Sequence, residues 1–303
     1  MRVFYSDHFR VPLPEGHRFP MDKYARLRER VQQSGLILNG RLQVPEAASD
    51  EQLARAHHPA YIHKVAQGLL SDKEVRRIGF PWSPQLVERS RRSVGGTLAA
   101  CRAALQDQFS ANLAGGTHHA YADHGEGFCV FNDVAVAARA MQAESRLQRV
   151  VILDCDVHQG NGTAAIFAGD ASVFTFSIHG ARNFPFHKEN SDLDIALPDG
   201  TGDKEYLQAL ESGVRRSLEL AKAELAIYLA GADPYHEDRL GRLSVSKAGL
   251  AQRDQLVFSL CRQHALPVAI VMSGGYARQV DDTVDIHFQT IQFALEFSKN
   301  DHL

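Results

Sequence analysis

Two carboxylates and an imidazole follow a short apolar segment near the middle of the chain. In VVILDCDVHQGNG, residues 150–162, the apolar residues 150–153 lead directly into Asp154, Asp156 and His158. Because side chains alternate between the faces of an extended chain, these three side chains are expected to point the same way. Burying two carboxylates together is costly unless a cation compensates their charge. The pattern therefore predicts a metal site at the end of a strand.

A second apolar segment also ends in an acid, in IYLAGADP, residues 227–234. Asp-Pro is common in turns, so Asp233 alone is a weak signal. At the end of a strand in the same sheet, however, Asp233 can supply a third ligand beside Asp156 and His158. Such a mixed oxygen and nitrogen set with an open position suits catalytic Zn²⁺ and is compatible with Fe²⁺ or another divalent ion.

Two glycine-rich segments carry groups suited to acid–base and oxyanion chemistry. LAGGTHHA, residues 113–120, holds the adjacent His118 and His119, and small changes of environment move the pKa of an imidazole across neutrality. IVMSGGYA, residues 270–277, carries Tyr276, whose phenol can donate a hydrogen bond to an oxyanion. Alone, each segment is equally compatible with ordinary surface or packed side chains. Four strand ends with compatible groups together favour a catalytic site.

The elements that must position these groups alternate along the chain. Periodicity and turn residues predict strands at 2–5, 112–114, 150–154, 173–178, 225–230 and 268–272. They predict helices at 21–33, 50–54, 59–67, 84–106, 132–142, 162–167, 204–222, 247–264 and about 284–297. Two long irregular regions, 116–129 and 179–203, follow predicted strands. We expect one α/β domain over residues 1–303, with a mostly parallel sheet covered by helices on both faces.

Composition excludes several classes of partner. Thirty-three Lys and Arg against 36 Asp and Glu give a net charge near −3, so we expect neither nucleic acid nor membrane as a partner. The four cysteines form no close pair, and the chain shows no signal-peptide core and no 18-residue apolar run. These features predict a soluble cytoplasmic protein and leave its oligomeric state open.

Taken together, GGTHHA, GEGFCVFND, DCDVHQGNGT, GADP and SGGY resemble the histone deacetylase superfamily. The resemblance implies an arginase-like α/β fold with a mostly parallel sheet of about eight strands. The resemblance extends over essentially the whole chain. QGNG and DRLGRLSVS, residues 238–246, are similar to the class IV group and its bacterial relatives. The resemblance implies a zinc-dependent hydrolase that removes acetyl or longer acyl groups from lysine side chains by means of metal-activated water.

The resemblance also implies a role for each matching residue. The metal ligands are Asp156, His158 and Asp233. The catalytic residues are His118, His119, Tyr276, Asp154 as the partner of His118, and Asn161 as the partner of His119. The substrate tunnel comprises Gly127, Phe128, Phe184 and Leu240. A structural monovalent cation, usually K⁺, is bound around Asp154, Asp156, His158, Ser177 and Ile178.

Three features depart from the pattern of the family. Asn161 stands where class I enzymes carry aspartate, and it should lower the basicity of His119, because an amide stabilises imidazolium less than a carboxylate does. Ser273 gives SGGY where many members have GGGY. RIGFPWSP, residues 77–84, contains no aspartate to match the rim residue that binds peptide backbone in class I. The sequence therefore lacks the rim feature that accompanies protein substrates in class I.

Three alternative functions remain open. The first is deacetylation of small amines such as acetylpolyamines, for which 179–203 and the acidic PYHED stretch, 234–238, could shape a pocket for a cation. An arginase-like two-metal hydrolase is less favoured, because further acidic ligands are not evident beside the site. The last is an inactive metal-binding sensor of acyl ligands, against which the retention of His118, His119 and Tyr276 argues.

Overall fold

One parallel sheet organises the part of the chain that the computed structural model describes, residues 1–144 and 146–299. Its strand order is β2-β1-β3-β8-β7-β4-β5-β6, and every pair of neighbours is parallel. The strands are β1 (Arg2–Phe4), β2 (Leu42–Gln43), β3 (Phe109–Asn112), β4 (Val150–Asp154), β5 (Val173–Gly180), β6 (Leu193–Leu197), β7 (Leu225–Leu229) and β8 (Val268–Val271). The predicted α/β fold with an eight-stranded parallel sheet is confirmed.

Helices cover both faces of this sheet. They are α1 (Asp22–Gln33), α2 (Asp50–Leu53), α3 (Pro59–Gln67), α4 (Asp72–Ile78), α5 (Pro84–Asp107), α6 (Asp133–Ala143), α7 (Asn161–Ile166), α8 (Asp203–Ala221), α9 (Lys247–Gln263) and α10 (Val280–Lys299). Side chains of β4 alternate between two apolar cores, with Val151 and Leu153 in one and Val150 and Ile152 in the other. A strand buried on both faces in this way leaves only its ends available for chemistry.

Local sequence signals explain where two of the long helices, α5 and α9, begin. The hydroxyl of Ser83 accepts a hydrogen bond from the Leu86 N–H, and Pro84 occupies the first turn of α5. Ser246 accepts from the Gly249 N–H in the same way at the start of α9. Both caps satisfy N–H groups that the helix itself leaves free.

Several elements differ from those predicted. Strand β6 lies within region 179–203, which the sequence suggested was irregular, and pairs with β5 at one edge of the sheet. Strand β3 ends at Asn112, where the predicted strand began. The prediction was displaced because the buried polar residues Ser110 and Asn112 interrupt the apolar pattern of the strand. Their side chains are satisfied by the Arg2 and Ser93 carbonyls, respectively. Strand β2 and helix α4 were not predicted, and α10 begins four residues earlier than expected.

Within the described residues, no helix combines the length and the apolar character that crossing a bilayer requires.

Candidate active site

The candidate site lies where four neighbouring strands of the sheet end. Strands β3, β8, β7 and β4 are adjacent and parallel, so the loops that follow them meet at one edge. Those loops carry His118 and His119 after β3, Asp156 and His158 after β4, Asp233 after β7 and Tyr276 after β8. The structure therefore brings together the residues that sequence motifs had singled out separately.

Asp156, His158 and Asp233 form a buried group that could hold a metal ion. One ligand atom from each lies within 4.8 Å of the others. Nδ1 of His158 is 2.9 Å from Oδ1 of Asp156 and 3.2 Å from Oδ2 of Asp233. Despite this approach, that buried Asp233 oxygen accepts no well-directed hydrogen bond from any of the described residues. Burial and the nearby Asp156 carboxylate raise the pKa of Asp233 to about 7. A divalent cation would satisfy both carboxylates and the imidazole, so the donor set fits a metal.

The loop after β8 approaches these ligands closely. A Cβ atom on Gly274 would lie 1.9 Å from Oδ2 of Asp233, so this position accepts only glycine. The Gly274 N–H and the Ser273 hydroxyl each donate to Oδ2 of Asp156 over 2.7 Å. Ser273 adopts a left-handed backbone with a φ of 58°. The serine of SGGY therefore supplies to Asp156, a candidate metal ligand, a donor that glycine would lack.

The two adjacent histidines have different partners. Nδ1 of His118 lies 2.6 Å from Oδ2 of Asp154, and Nδ1 of His119 lies 2.6 Å from Oδ1 of Asn161. Burial opposes the charged form of His118, but the Asp154 and Asp156 carboxylates outweigh it and raise its pKa to about 9. Burial and the neighbouring His118 lower the pKa of His119 well below its usual range. The surroundings therefore favour the charged form of His118 and the neutral form of His119.

The orientation of the Asn161 amide is determined by residues behind it. Its Nδ2 donates to Oε2 of Glu126 over 3.2 Å and to the Tyr121 hydroxyl over 3.1 Å, while that hydroxyl donates to Glu189. A carboxylate only accepts, so the Asn161 oxygen must face His119, which then donates from Nδ1 and keeps a lone pair on Nε2. Glu126 was not singled out as a site residue, although it lies in the quoted GEGFC motif.

A cavity of about 530 Å³ opens above this group. Its lining includes all four predicted tunnel residues, Gly127, Phe128, Phe184 and Leu240, together with both histidines, Asp156, His158 and Tyr276. The Phe184 ring lies 4.9 Å from the His119 ring, and the Phe128 ring lies 6.2 Å from that of Tyr276. Asp154, Asn161 and Asp233 lie behind this surface, where they contact the residues that line it.

The Tyr276 loop is fixed from two sides. Its N–H donates to Oδ2 of Asp238 over 2.6 Å. Lys23 of α1, only 2% exposed, donates from Nζ to the Gly275 carbonyl over 3.2 Å and lies 5.1 Å from the Tyr276 ring centre. Sequence reasoning missed Lys23. The signal was its spacing, since Lys23 lies four residues before Leu27, on the buried face of α1.

The residues predicted to surround a monovalent cation also lie close together. Ser177 of β5 is the register partner of Asp154 in β4, and Ser177 and Ile178 are both buried. The Ser177 hydroxyl lies 3.0 Å from Nδ1 of His179. This arrangement is compatible with the expected K⁺ site, which stays a prediction.

The acidic PYHED stretch does not face the cavity. Glu237 lies 3.5 Å from Arg278, and Asp238 accepts hydrogen bonds from the Leu240, Gly241 and Tyr276 N–H groups. Neither carboxylate belongs to the described lining. The expectation that this stretch shapes a pocket for a cation is therefore wrong. Residues from 179–203 do contribute to the wall, through Arg182, Asn183, Phe184 and Phe186.

Comparison with known proteins identifies the family. The model of the histone deacetylase domain matches residues 17–291. An uncharacterized protein of Picosynechococcus sp. is 43% identical over 285 residues, covering 94% of this chain and 95% of the relative. The histone deacetylase-like amidohydrolase of Pseudomonas aeruginosa is 30% identical over 284 residues, covering 88% and 74%.

Solved structures show the same fold. The crystal structure of an HDAC homologue from Aquifex aeolicus has a TM-score of 0.84 at 22% identity and covers 99% of this chain and 84% of its own. An HDAC homologue complexed with SAHA has a TM-score of 0.84 at 23% identity, with the same coverage. With the family model matching most of the chain, this protein belongs to the histone deacetylase family of amide hydrolases.

Proposed function

We propose that this protein is a zinc-dependent deacylase that hydrolyses the amide bond of acylated lysine side chains. The observation that carries the proposal is the position of Asp156, His158 and Asp233 beneath a cavity whose wall also holds His118, His119 and Tyr276. A bound divalent ion supplies Lewis-acid activation of the amide carbonyl and of water. All other functions in the reaction fall to side chains of this chain.

His119 is the proposed base. Its Nδ1–H is directed at Asn161, so Nε2 is free to take the proton of the attacking water and later to protonate the leaving amine. His118, held charged by Asp154, stabilises negative charge that develops beside it. Tyr276 faces the cavity, and burial raises its pKa well above the usual range, so its phenol stays protonated and can donate to the oxyanion.

The cavity wall suits the alkyl stem of an acyl-lysine. Phe128 and Phe184 supply apolar faces, and Leu240 adds a third apolar group. Gly127 has a left-handed backbone with a φ of 55°, and a Cβ there would lie 2.8 Å from the His119 ring. We assign its carbonyl to the substrate N–H, as the family resemblance implies. The Gly127 carbonyl would thus bind the polar amide of the substrate, while the apolar side chains contact its alkyl stem.

Three finer assignments belong to the same proposal. QGNG and residues 238–246 favour a class IV-like member of the family. The position of Ser177 beside Asp154 favours a structural K⁺. Four free, buried cysteines are compatible with the reducing conditions of the cytoplasm, where we expect the enzyme to act.

Acetylpolyamines are the second candidate class of substrate, because the tunnel would equally accept the stem of a small amine. The charge at the cavity mouth argues against them, since arginines lie there and the carboxylates of PYHED do not. The sensor alternative predicts binding without chemistry.

One panel tests the proposal. The protein is stripped of metal, reconstituted separately with Zn²⁺ and Fe²⁺, and given acetyl-lysine peptides, longer acyl-lysine peptides and acetylpolyamines. We expect turnover of an acyl-lysine peptide with Zn²⁺, inhibited by a hydroxamate. Faster turnover of acetylpolyamines would favour the second candidate. Tight hydroxamate binding without turnover of any substrate would contradict the enzyme assignment and favour the sensor.

A further inference from the structure

The mouth of the cavity is strongly basic. Four arginines contribute to its lining, Arg18, Arg182, Arg239 and Arg242, and all four are exposed. Among the described lining residues the one carboxylate is Asp156, which belongs to the candidate metal group at the base. The positive charge therefore lies where the part of a substrate outside the tunnel would be.

Little of this charge is neutralised by the protein itself. Arg242 lies 3.3 Å from Asp199, and Arg239 donates to the Arg278 carbonyl over 3.2 Å, which leaves its charge without a counterion. Arg18 and Arg182 form neither ion pairs nor hydrogen bonds with any side chain of residues 1–144 and 146–299. Three of the four guanidinium groups are thus available to an external anion.

A buried asparagine joins two of the loops that carry these arginines. Asn183, 2% exposed, donates from Nδ2 to the Leu240 carbonyl over 2.7 Å and accepts at Oδ1 from the Arg242 N–H over 3.2 Å. The loop with Arg182 is thereby joined to the loop with Arg242. Arg18 comes from a separate segment, next to Phe19, whose ring lies 5.5 Å from that of Phe128 in the wall. The basic groups of the lining therefore come from three separate segments of the chain.

We infer that the enzyme selects acyl-lysines that are flanked by acidic residues in a polypeptide. This inference rests on the proposed function, because the residues beside the acyl-lysine reach the arginines at the cavity mouth only when the acyl-lysine stem occupies the tunnel. Guanidinium groups bind carboxylates through paired hydrogen bonds, and they repel cationic residues that lie beside the acyl-lysine. A small amide with a single carboxylate would engage one segment of the rim, whereas acidic residues on both sides of the lysine engage several. Cationic acetylpolyamines are disfavoured for the same reason.

The test compares peptides that share one acyl-lysine and differ in the residues on either side. Flanks of Asp, Asn or Lys give three peptides of equal length, and the free acylated amino acid gives a substrate with a single carboxylate. For the zinc-loaded enzyme we expect kcat/KM to be about tenfold or more higher with Asp flanks than with Lys flanks at low salt, since electrostatic steering changes association on this scale. The ratio should shrink as salt screens the rim.

Charge-removing variants locate the effect. In the combined variant Arg18→Gln, Arg182→Gln, Arg239→Gln the ratio of Asp-flanked to Lys-flanked kcat/KM should approach one. Arg216→Gln is the matched control, because Arg216 is an exposed arginine of α8, its side chain 62% accessible, and it does not belong to the lining. The control should keep the wild-type ratio.

Different failures have different meanings. Equal turnover of all three peptides, a preference for Lys flanks, or a ratio unchanged in the combined variant would overturn the inference while leaving the deacylase function intact. If the free acylated amino acid were hydrolysed with the same kcat/KM as the Asp-flanked peptide, the inference that the substrate is a polypeptide would be overturned. Absence of turnover of every acyl-lysine substrate would contradict the proposed function itself.

Discussion

Nδ1 of His119 lies 2.6 Å from the amide oxygen of Asn161, whereas the adjacent His118 has the carboxylate of Asp154 at the same distance. A carboxylate stabilises a positive imidazole more than an amide does, so these two partners favour the charged form of His118 more than that of His119. The division of roles proposed above, with His119 as the base and His118 as the charged neighbour, follows from this difference.

Glu126 should act as a positioning residue for that base. Glu126→Gln replaces a carboxylate, which only accepts, with an amide that can also donate, so the Asn161 amide is no longer obliged to present its oxygen to His119. We expect kcat to fall by roughly tenfold with little change in KM, a loss typical of residues that orient a catalytic side chain through a neighbour. Glu189→Gln is the matched control, because Glu189 contacts only the Tyr121 hydroxyl in this network. Equal kcat values for the two variants would refute the role of Glu126.

Ser273 should strengthen metal binding. Both Ser273→Ala and Ser273→Gly remove the hydroxyl that donates to Asp156, so both should bind Zn²⁺ about 10- to 100-fold more weakly in a competition titration with a chelator. The two variants should differ in stability, because alanine keeps a side chain at a φ of 58° and glycine does not. Without metal, the glycine variant should be more stable by about 1 kcal/mol. Wild-type affinity in Ser273→Ala would contradict this account.

Lys23 should hold the Tyr276 loop. Lys23→Met keeps the buried stem but leaves the Gly275 carbonyl without its donor, which should lower the free energy of unfolding in urea by about 1–3 kcal/mol. Activity should fall as well, because the phenol is no longer held at a fixed position, while bound zinc stays at the wild-type level. Lys23→Arg keeps a donor and should recover part of both losses. A fully active and stable Lys23→Met protein would remove Lys23 from the site.

His57 gives the fold a pH dependence. Its Nδ1 lies 3.0 Å from the Tyr121 carbonyl and its Nε2 accepts from the Asn132 N–H, so the ring is buried neutral, and burial lowers its pKa from 6.5 to about 4. The unfolded chain therefore binds the proton first. The stability that His57 contributes is complete above pH 6.5 and is lost as the pH falls towards 4, by about 1.4 kcal/mol per pH unit.

A variant isolates this contribution from those of other histidines. The free energy of unfolding of His57→Gln should fall less steeply between pH 6.5 and 4 than that of the wild type, because the amide does not titrate. Both proteins are compared without metal in urea titrations at each pH. Parallel slopes in the two proteins would show that His57 is not the group responsible.

The sequence predicted the parts of the site that are local in the chain. Asp156 and His158 follow one apolar strand, and Asp233 follows another, so alternation and strand ends sufficed to find them. Glu126 and Lys23 could not be assigned in this way, because their roles depend on contacts with residues 35 and 252 positions away. Strand β6 was missed since an edge strand with alternating partly exposed residues has a weak apolar signal.

Turnover by Tyr276→Phe tests the central claim most directly. The variant removes one hydroxyl that faces the cavity and none of the metal ligands. On the best acyl-lysine peptide we predict that kcat falls about a hundredfold or more, while zinc content and hydroxamate affinity stay close to those of the wild type. A variant that binds zinc and hydroxamate and also hydrolyses the peptide at nearly the wild-type rate would contradict the proposed deacylase mechanism.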